Sequence, residues 1–355
     1  FRPKWKSGDT RPAEAKQTTK FINHLKPKTT MTYLENSKQY TGSDLENIFF
    51  RPMLTGESAQ DLGVRVLYNM PQPTHVQLWD GQRNILQKFT SAGWAGGKAA
   101  TKYEKTVNLN RVKAELGFSA ANYFSMVYEK VSSLVNTHMD DLSGTELEQA
   151  ETALFKQALA ENIRVTMWIG DTSAASGYNT FDGLLKRING LVDDDGVYNF
   201  SYQAAALEDP AYAVELFDKL WAGANPRIPG LKADDRLAYF VSSDIYRLYE
   251  KYLDAKGADA AYADAMNGRR TLAYHGIPVV DVRLGSYLGA TSFRQSFVML
   301  TDRRNLVLAV NTADMPGNEV RMWYNPDEME NRQRAVFMAG TQILDEALIS
   351  FAYKQ

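Results

Sequence analysis

The stretch SGTELEQAETALFKQALAENIRVTMWIG, residues 143–170, carries the clearest structural signal in the chain. It opens with the capping-box pattern Ser143-Gly144-Thr145-Glu146, in which the first and last side chains bond to each other's backbone N–H groups at a helix start. Apolar residues then recur at helical spacing as far as Trp168, and Gly170 follows as a stop signal. We therefore predict a helix over about residues 145–168, roughly 35 Å long and able to span a domain.

The sequence after this helix predicts a mixed α/β region with a closing β segment. Apolar periodicity and turn residues define the elements. In chain order they are a short amphipathic segment at 181–188, a helix at 209–224, a strand at 237–241, a helix at 243–257, a strand at 279–282, a hairpin of 297–301 and 306–310 around the turn Asp302–Asn305, and strand-like sequence at 320–324 and 335–351. Helices and strands are both abundant, so the predicted fold class is α+β.

Before the long helix, residues 64–112 predict an extended two-stranded ribbon. Apolar and polar residues alternate in the outgoing run, and Tyr103, Val107 and Leu109 alternate with polar residues in the return run. Small residues at 91–97 form the tip between them. A two-stranded ribbon is marginal in water, so we expect this one to rest on another surface. A further helix is predicted over about 119–137.

Residues 1–60 have no sustained helical or strand period, and sparse apolar residues predict a segment that cannot fold alone. Fully extended, such a segment reaches ~200 Å, whereas a compact body of this chain length has a radius of gyration near ~20 Å. Residues 1–30 contain eight basic and two acidic residues, a local charge of +6 in a chain whose net charge is −2. A basic arm of this kind is typical of contact with nucleic acid or an acidic neighbour, and a merely solvated tail is the alternative.

Composition excludes several classes of protein. The 355 residues include 44% hydrophobic residues, an ordinary globular value, and no cysteine, so disulfides and thiolate metal sites are excluded. No apolar run has membrane-spanning length, and no secretion signal is visible. The four histidines are scattered without a metal-binding spacing.

Motifs that carry chemistry are also missing from the sequence. Asp193-Asp194-Asp195-Gly196 lacks the alternating ligands of a calcium loop and is better read as a solvated acidic turn. The serine of Gly285-Ser286-Tyr287-Leu288-Gly289 is one place too early for a nucleophile elbow. A structural or binding role is therefore favoured over catalysis.

The order of elements resembles one known family. A basic arm, a long β ribbon, a long helix, an α/β lobe and closing strands follow one another as in the HK97-like major capsid proteins of tailed bacteriophages. Three stretches are also similar to that family: Phe181–Leu185 to the short helix after its spine, Tyr274–Val280 to a strand entering the late part of its axial domain, and Thr301–Leu306 to a hairpin near its end.

The resemblance implies an α+β capsid fold with four parts. Residues 1–62 would form an N-arm, and residues 63–112 an E-loop that lies over an adjacent subunit. Residues 113–199 and 318–355 would form the peripheral domain, with the long helix as its spine. Residues 200–317 would form the axial domain, which clusters around five-fold and six-fold centres.

The resemblance also implies a structural protein without cofactor, metal or catalytic residues. Such a chain assembles in the bacterial host cytoplasm, as hexamers and pentamers, into an icosahedral virion shell around double-stranded phage DNA. Its partners would be its own copies, the packaged DNA bound non-specifically, and scaffold, portal, decoration and maturation-protease proteins, but no membrane. Removal of a leading segment by such a protease would account for a chain that starts at Phe1.

The predicted ribbon is basic, with six Lys or Arg residues against two Glu residues over 85–115. We predict that it lies on an acidic strip of the next subunit, for which Asp140–Asp141 and Asp193–Asp195 are candidates. The residues predicted to make inter-subunit contacts are Lys98, Lys102 and Lys105 with Trp94 in the ribbon, and Arg2, Lys4 and Trp5 in the arm.

Three alternatives remain open at the level of sequence. Some members of the family form a Lys–Asn isopeptide bond assisted by a Glu, and Lys98, Asn325 and Glu328 or Glu330 are candidates, although a loop-tip lysine is more often simply solvated. An encapsulin-type compartment would share the fold, and protein cargo in place of DNA would identify it. A soluble α/β enzyme would instead be monomeric and turn over a small substrate.

Overall fold

The computed structural model describes residues 38–51, 63–70, 74–79, 102–119, 146–192, 194–257, 272–285, 287, 295–311, 318–325, 327–328 and 330–355. These residues form two six-stranded sheets, a separate two-stranded ribbon and several helices. The predicted α+β class is therefore confirmed. The predicted helix over 119–137 lies outside the described residues, apart from Ser119.

The strands are numbered in chain order. They are β1 Lys38–Tyr40, β2 Arg65–Tyr68, β3 Thr74–Trp79, β4 Lys102–Val107, β5 Asn110–Ser119, β6 Tyr198–Tyr202, β7 Leu237–Val241, β8 Leu272–Tyr274, β9 Ile277–Asp281, β10 Phe297–Asp302, β11 Leu306–Asn311, β12 Glu319–Asn325, β13 Glu330–Ile343 and β14 Ile349–Lys354. The longer helices are α1 Glu146–Ile169, α2 Leu184–Asn189, α3 Tyr212–Gly223, α4 Arg227–Leu231 and α5 Ser243–Ala255.

The first sheet is built around β13, the longest strand, with 14 residues. On one side β13 pairs with β5, and on the other it pairs first with β12 and then with β11, all antiparallel. Strand β1 adds to β12, and β2 adds to β11 in the parallel direction. Buried and partly exposed residues alternate along the first ten residues of β13, so one face of the sheet is core and the other is partly solvated.

Helix α1 packs against the buried face of this sheet, and its bounds agree with the predicted range of 145–168. Phe155, Leu159 and Ile163 are spaced four residues apart on one helix face and are buried in the core. The helix ends at Gly170 because the chain returns there at very close range. A Cβ atom on Gly170 would lie 2.2 Å from the carbonyl oxygen of Phe181, so only glycine fits.

The second sheet has the strand order β6-β14-β10-β7-β9-β8. All five residues of β7 are buried, which explains the unbroken apolar run in its sequence. Helices α3 and α5 cover one face through an aromatic cluster centred on Phe217. Its ring centroid lies 4.8 Å from Tyr239, 5.2 Å from Tyr249 and 5.2 Å from Tyr274.

The predicted hairpin of 297–301 and 306–310 is wrong, although both strands exist. Strand β10 pairs with β7 and β14 in the second sheet, whereas β11 pairs with β13 and β2 in the first. The turn Arg303–Asn305 thus carries the chain from one sheet to the other. Alternation and a turn signal locate two strands but contain no information on which partner each strand chooses.

The chain returns to the second sheet through the short turn Glu346–Leu348 before β14. The two crossings are bound together, because Asn305 Nδ2 donates to the carbonyl oxygen of Asp345 at 2.8 Å and the Asp345 N–H donates to Asn305 Oδ1 at 2.7 Å. Arg227 also binds the largely buried carboxylate of Asp345 at 2.7 Å. Consequently β11, inside the predicted axial range, lies in the first sheet, and β14, inside the predicted peripheral range, lies in the second.

Part of the N-terminal region is packed into its own subunit, whereas we expected the first hundred or so residues to find their folding partners on other copies of the chain. A helical turn at Gly42–Asp44 continues as a π-helix over Leu45–Phe50. Leu45, Phe49 and Phe50 are completely buried in the main core. Their spacing, i, i+4 and i+5, occupies a single turn, which is too short to stand out as a periodic pattern.

Candidate interaction surface

The predicted ribbon exists at its base, where β3 and β4 pair antiparallel from Thr74 opposite Val107 to Trp79 opposite Lys102. Among the described strands, β3 and β4 pair only with each other. By contrast, β2, which the sequence assigned to the same excursion, and β5, of which only the first three residues fell within it, are strands of the first sheet. The described ribbon therefore consists of residues 74–79 and 102–107, and we use the name in this sense.

A small apolar cluster holds this ribbon on its own subunit. The root cluster consists of Val76, Val107, Leu109, Val307, Ala309 and Leu344. Val107 is fully buried and Val76 is 6% exposed, so the base of the ribbon is as well packed as a domain core. We predicted that the ribbon rests on another surface. For the base of the ribbon, that surface is the first sheet of the same chain.

Polar contacts add to the root cluster. Lys105 Nζ lies 2.6 Å from Glu346 Oε1, and both side chains are more than a third exposed, at 37% and 39%. Gln342 Nε2 donates to the carbonyl oxygen of Thr106 at 2.8 Å. These two contacts link the return strand of the ribbon to the end of β13 and to the second crossing between the sheets. Because 241 positions separate Lys105 from Glu346, no local sequence pattern marks this pair.

The other predicted contact residues are not brought together in the described structure. Lys102 is placed on β4 opposite Trp79, at the outer end of the described ribbon. Arg2, Lys4, Trp5, Trp94 and Lys98 lie outside the described residues, as do Asp140, Asp141 and Asp193. Asp194 Oδ1 accepts a hydrogen bond from the Gly196 N–H at 2.8 Å, which fits the acidic-turn interpretation. Contact of these residues with a neighbouring subunit stays a prediction.

The partly solvated face of the first sheet carries paired charges around an aromatic ring. Arg334 binds Glu319 at 2.7 Å, and its guanidinium lies 5.8 Å from the centre of the Trp323 ring. Gln39, from β1, donates to the same Glu319 carboxylate at 2.7 Å. Tryptophan and arginine on an exposed face are the residues most often found at the centre of protein interfaces.

The candidate isopeptide residues lie at the tip where β12 turns into β13. Asn325 and Glu330 face each other across the two strands. Glu328 and Glu330 both form ion pairs with Arg332. Both carboxylates therefore already have a cationic partner, and the Asn325 side chain lies beside the same guanidinium. The cross-link itself stays a prediction, since Lys98 lies outside the described residues.

A groove with a cavity volume of about 560 Å³ lies between β5 and α1. One wall is the strand itself from Val112 to Leu116, and the opposite wall is the face of α1 that presents Phe155, Leu159 and Ile163. The segment 177–181 and Phe337 complete the lining. No feature of the sequence pointed to this groove, because its walls are assembled from distant parts of the chain.

A charge cluster follows the end of α1. Lys186 Nζ lies 2.7 Å from Asp171 and 2.6 Å from Asp182. The hydrogen bond from Lys186, together with hydrogen bonds from Ser173, lowers the pKa of Asp171 to about 2. For Asp182, burial acts to raise the pKa, but hydrogen bonds from Lys186 and Thr172 outweigh it and the pKa is lowered. The cluster fixes the loop between α1 and α2.

Within the ranges that the structure describes, no group of three or more His, Cys, Asp or Glu side chains is arranged to hold a metal ion. Among the described helices, none combines the length and apolar character that a membrane crossing requires.

No protein-family model matches the sequence, and no curated protein matches it. Solved structures do match the fold. A chain of the satellite phage P4 procapsid, solved with its size determination protein, aligns with a TM-score of 0.55 and 9% identity over 86% of this chain and 97% of that chain. The capsid of a native GTA particle aligns with a TM-score of 0.44 and 14% identity, over 85% and 91% of the two chains. The holo-SrpI encapsulin complex from Synechococcus elongatus PCC 7942 aligns with a TM-score of 0.43 and 8% identity, over 81% and 84%.

Proposed function

The chain has the fold of a phage capsid protein, as the resemblance in its sequence predicted, and from this premise we propose that it is a structural shell subunit. In this proposal the chain is no enzyme and assembles with copies of itself into hexamers and pentamers. These form an icosahedral virion shell around double-stranded phage DNA. The observation that supports the proposal is the fold, which this protein shares with a procapsid chain over nearly the whole length of that chain.

The construction of the ribbon supports this proposal. Its base is fixed by the root cluster and by the contact between Lys105 and Glu346, so its direction relative to the first sheet is set within one subunit. A two-stranded ribbon buries too little surface to be stable by itself in water. An anchored ribbon of this kind suits a contact that is completed on a neighbour. Many such contacts add up in a closed shell.

The charge distribution supports contact with nucleic acid or with an acidic neighbour. Residues 1–30 carry +6, so the remaining residues carry −8 of the overall −2. A segment with this charge is attracted to phosphate groups or to the acidic body of another copy. We include packaged DNA among the proposed partners on this ground, together with the scaffold, portal, decoration and protease proteins of an assembling virion in the host cytoplasm.

Electron microscopy of the purified protein tests the proposal directly. We expect closed particles with five-fold and six-fold capsomers, and nucleic acid recovered from particles made during infection. A protein that stays monomeric in light scattering at high concentration and forms no particles would contradict the shell function. Particles that contain protein cargo and no DNA would instead identify a cellular compartment.

A further inference from the structure

Two arginine side chains face each other on the partly solvated face of the first sheet. Arg321 on β12 lies directly opposite Arg334 on β13. Their strand neighbours Val320 and Ala335 are completely buried in the core, so the alternation along each strand directs both arginines to the other face. Like charges in directly opposite positions destabilise a sheet, and a negative charge bound between them would remove this cost.

The carboxylates of this face are bound to arginines other than Arg321. Arg334 binds Glu319 at 2.7 Å, and Arg332 binds Glu330 at 3.4 Å. Within the part of the chain that the structure describes, the Arg321 guanidinium has no ion-pair or hydrogen-bond partner. The Nε atoms of Arg321 and Arg334 are both enclosed and have no acceptor. The two arginines therefore retain donor groups that an added anionic acceptor would use.

The mixed charge of the face favours a carboxylate over a nucleic-acid backbone as that acceptor. Glu115, Glu319 and Glu330 stand among the arginines, and they would repel the successive phosphates of a DNA or RNA strand. A single carboxylate, by contrast, needs only one pair of guanidinium groups and accepts hydrogen bonds from both. Trp323, whose ring lies 5.8 Å from the Arg334 guanidinium, provides apolar contact surface beside them. Tryptophan next to arginine is typical of the centre of a protein interface.

The predicted arm and ribbon of this chain have the wrong charge to supply the carboxylate. Residues 1–37 contain eight basic and three acidic residues, and residues 80–101 contain three basic residues and one acidic residue. The arginine pair would repel both segments, whether they belong to the same subunit or to another copy. An acidic segment of a different protein is therefore the better match. Within this chain, Asp140 and Asp141 are the competing source.

We propose that the surface formed by Arg321, Trp323 and Arg334 binds an acidic segment of a protein other than this chain, with one carboxylate between the two guanidinium groups. The planar fork of arginine allows each guanidinium to donate to one oxygen of that carboxylate. The surface lies within one subunit, so this inference does not rest on the proposed shell function.

Carbodiimide coupling tests which group meets position 321. The variant Arg321→Lys places an amine there, and a water-soluble carbodiimide joins an amine to a carboxylate in contact with it as an amide, leaving as a urea. The probe is octa-glutamate with fluorescein on its N-terminus, added to the purified full-length variant. Tryptic digestion and mass spectrometry locate the label. We expect about tenfold more label at position 321 than at a control position, as one charge-assisted hydrogen bond would produce.

Arg304→Lys is the matched control. The Arg304 side chain is 50% exposed on the turn before β11, outside this surface, so a reaction governed by exposure alone would label it at least as strongly. Equal labelling at the two positions overturns the inference. So does an amide that forms, without the peptide, between position 321 and Asp140 or Asp141 of the same chain. If a DNA oligonucleotide of equal charge blocks the labelling better than unlabelled octa-glutamate does, the surface is a nucleic-acid site and the inference is wrong.

Discussion

A partly exposed ion pair, Lys105 with Glu346, joins the base of the ribbon to the rest of the subunit. Lys105 and Glu346 are each more than a third exposed, so solvent screens their attraction and the pair contributes little to global stability. Its effect should instead be local, because it joins the ribbon to the turn where the chain crosses between sheets. We therefore expect this ion pair to hold the ribbon in place but to contribute little to the free energy of unfolding of the subunit.

We predict that Lys105→Met lowers the free energy of unfolding of the unassembled subunit by less than about 1 kcal/mol. Amide hydrogen exchange in residues 102–107 should nevertheless become faster, because the ribbon base loses one of its attachments. Lys113→Met is the matched control, since Lys113 pairs with Glu115 two residues away on β5, outside the root cluster. Equal exchange in the two variants would show that the Lys105 contact does not hold the ribbon.

The cluster of Lys186 with Asp171 and Asp182 predicts a specific dependence of stability on pH. The folded pKa of Asp171, about 2, lies below its ordinary value of 3.8. A lowered folded pKa stabilises the folded state above the ordinary pKa, and this stabilisation is lost as pH falls towards 2. We therefore expect Lys186→Met to lower the free energy of unfolding by about 1 kcal/mol at pH 7, and by progressively less between pH 4 and pH 2.

Urea titrations of both proteins at several pH values measure this difference. The variant Asp171→Asn, alone and combined with Lys186→Met, provides the double-mutant cycle that separates this ion pair from other effects of the substitution. A stability difference that stays constant from pH 7 to pH 2 would contradict the assignment of the lowered pKa to Lys186.

Helices and strands could be predicted from the sequence where their signals are local, but the pairing of strands far apart in the chain could not. Helix α1 and strand β7 were predicted nearly to the residue, because 24 residues of helical periodicity and five consecutive buried residues are signals contained within each element. The partners of β10 and β11 were not predictable, since partner choice depends on residues far along the chain. The candidate groove was missed for the same reason.

The buried π-helical turn provides the next prediction. We expect Phe49→Ala to destabilise the isolated subunit by about 3–5 kcal/mol, because it removes a fully buried aromatic side chain. Ile48→Ala is the matched control in the same turn; its side chain is 40% exposed, so its removal should change stability by no more than about 0.5 kcal/mol. Denaturant unfolding of the unassembled protein gives both values. A small effect at Phe49 would mean that this turn packs only after assembly.

At the scale of the whole molecule, the N-terminal third divides into parts that serve different purposes. Residues 38–51 and 65–68 complete the core of their own subunit, and the ribbon is anchored there by the root cluster. Contact of the remaining N-terminal segments with a neighbour stays a prediction. The sequence predicted an extended conformation for the whole region because the region has few long periodic patterns. A short, fully buried turn is too short to produce such a pattern.

Charge reversal tests whether the ribbon also contacts a neighbour. We predict that Lys102→Glu with Lys105→Glu impairs particle assembly, measured by sedimentation and electron microscopy. Since Lys105 already pairs with Glu346, a second variant is needed to separate the two roles. Adding Glu346→Lys to this double variant restores an ion pair with position 105 at the ribbon base but leaves positions 102 and 105 acidic. Assembly should remain impaired in this swapped variant, and full recovery would assign the defect to the ribbon base alone.

The double crossing of the chain between the two sheets has a consequence for how the subunit can be divided. After β10 in the second sheet the chain enters β11 in the first sheet, and after β13 in the first sheet it returns to β14 in the second. Each sheet therefore contains a strand that directly follows a strand of the other sheet. A gene fragment that ends anywhere between residues 306 and 348 encodes one half that is missing an internal strand. Because the chain passes twice between the two sheets, we expect that neither sheet folds stably as a fragment without the other.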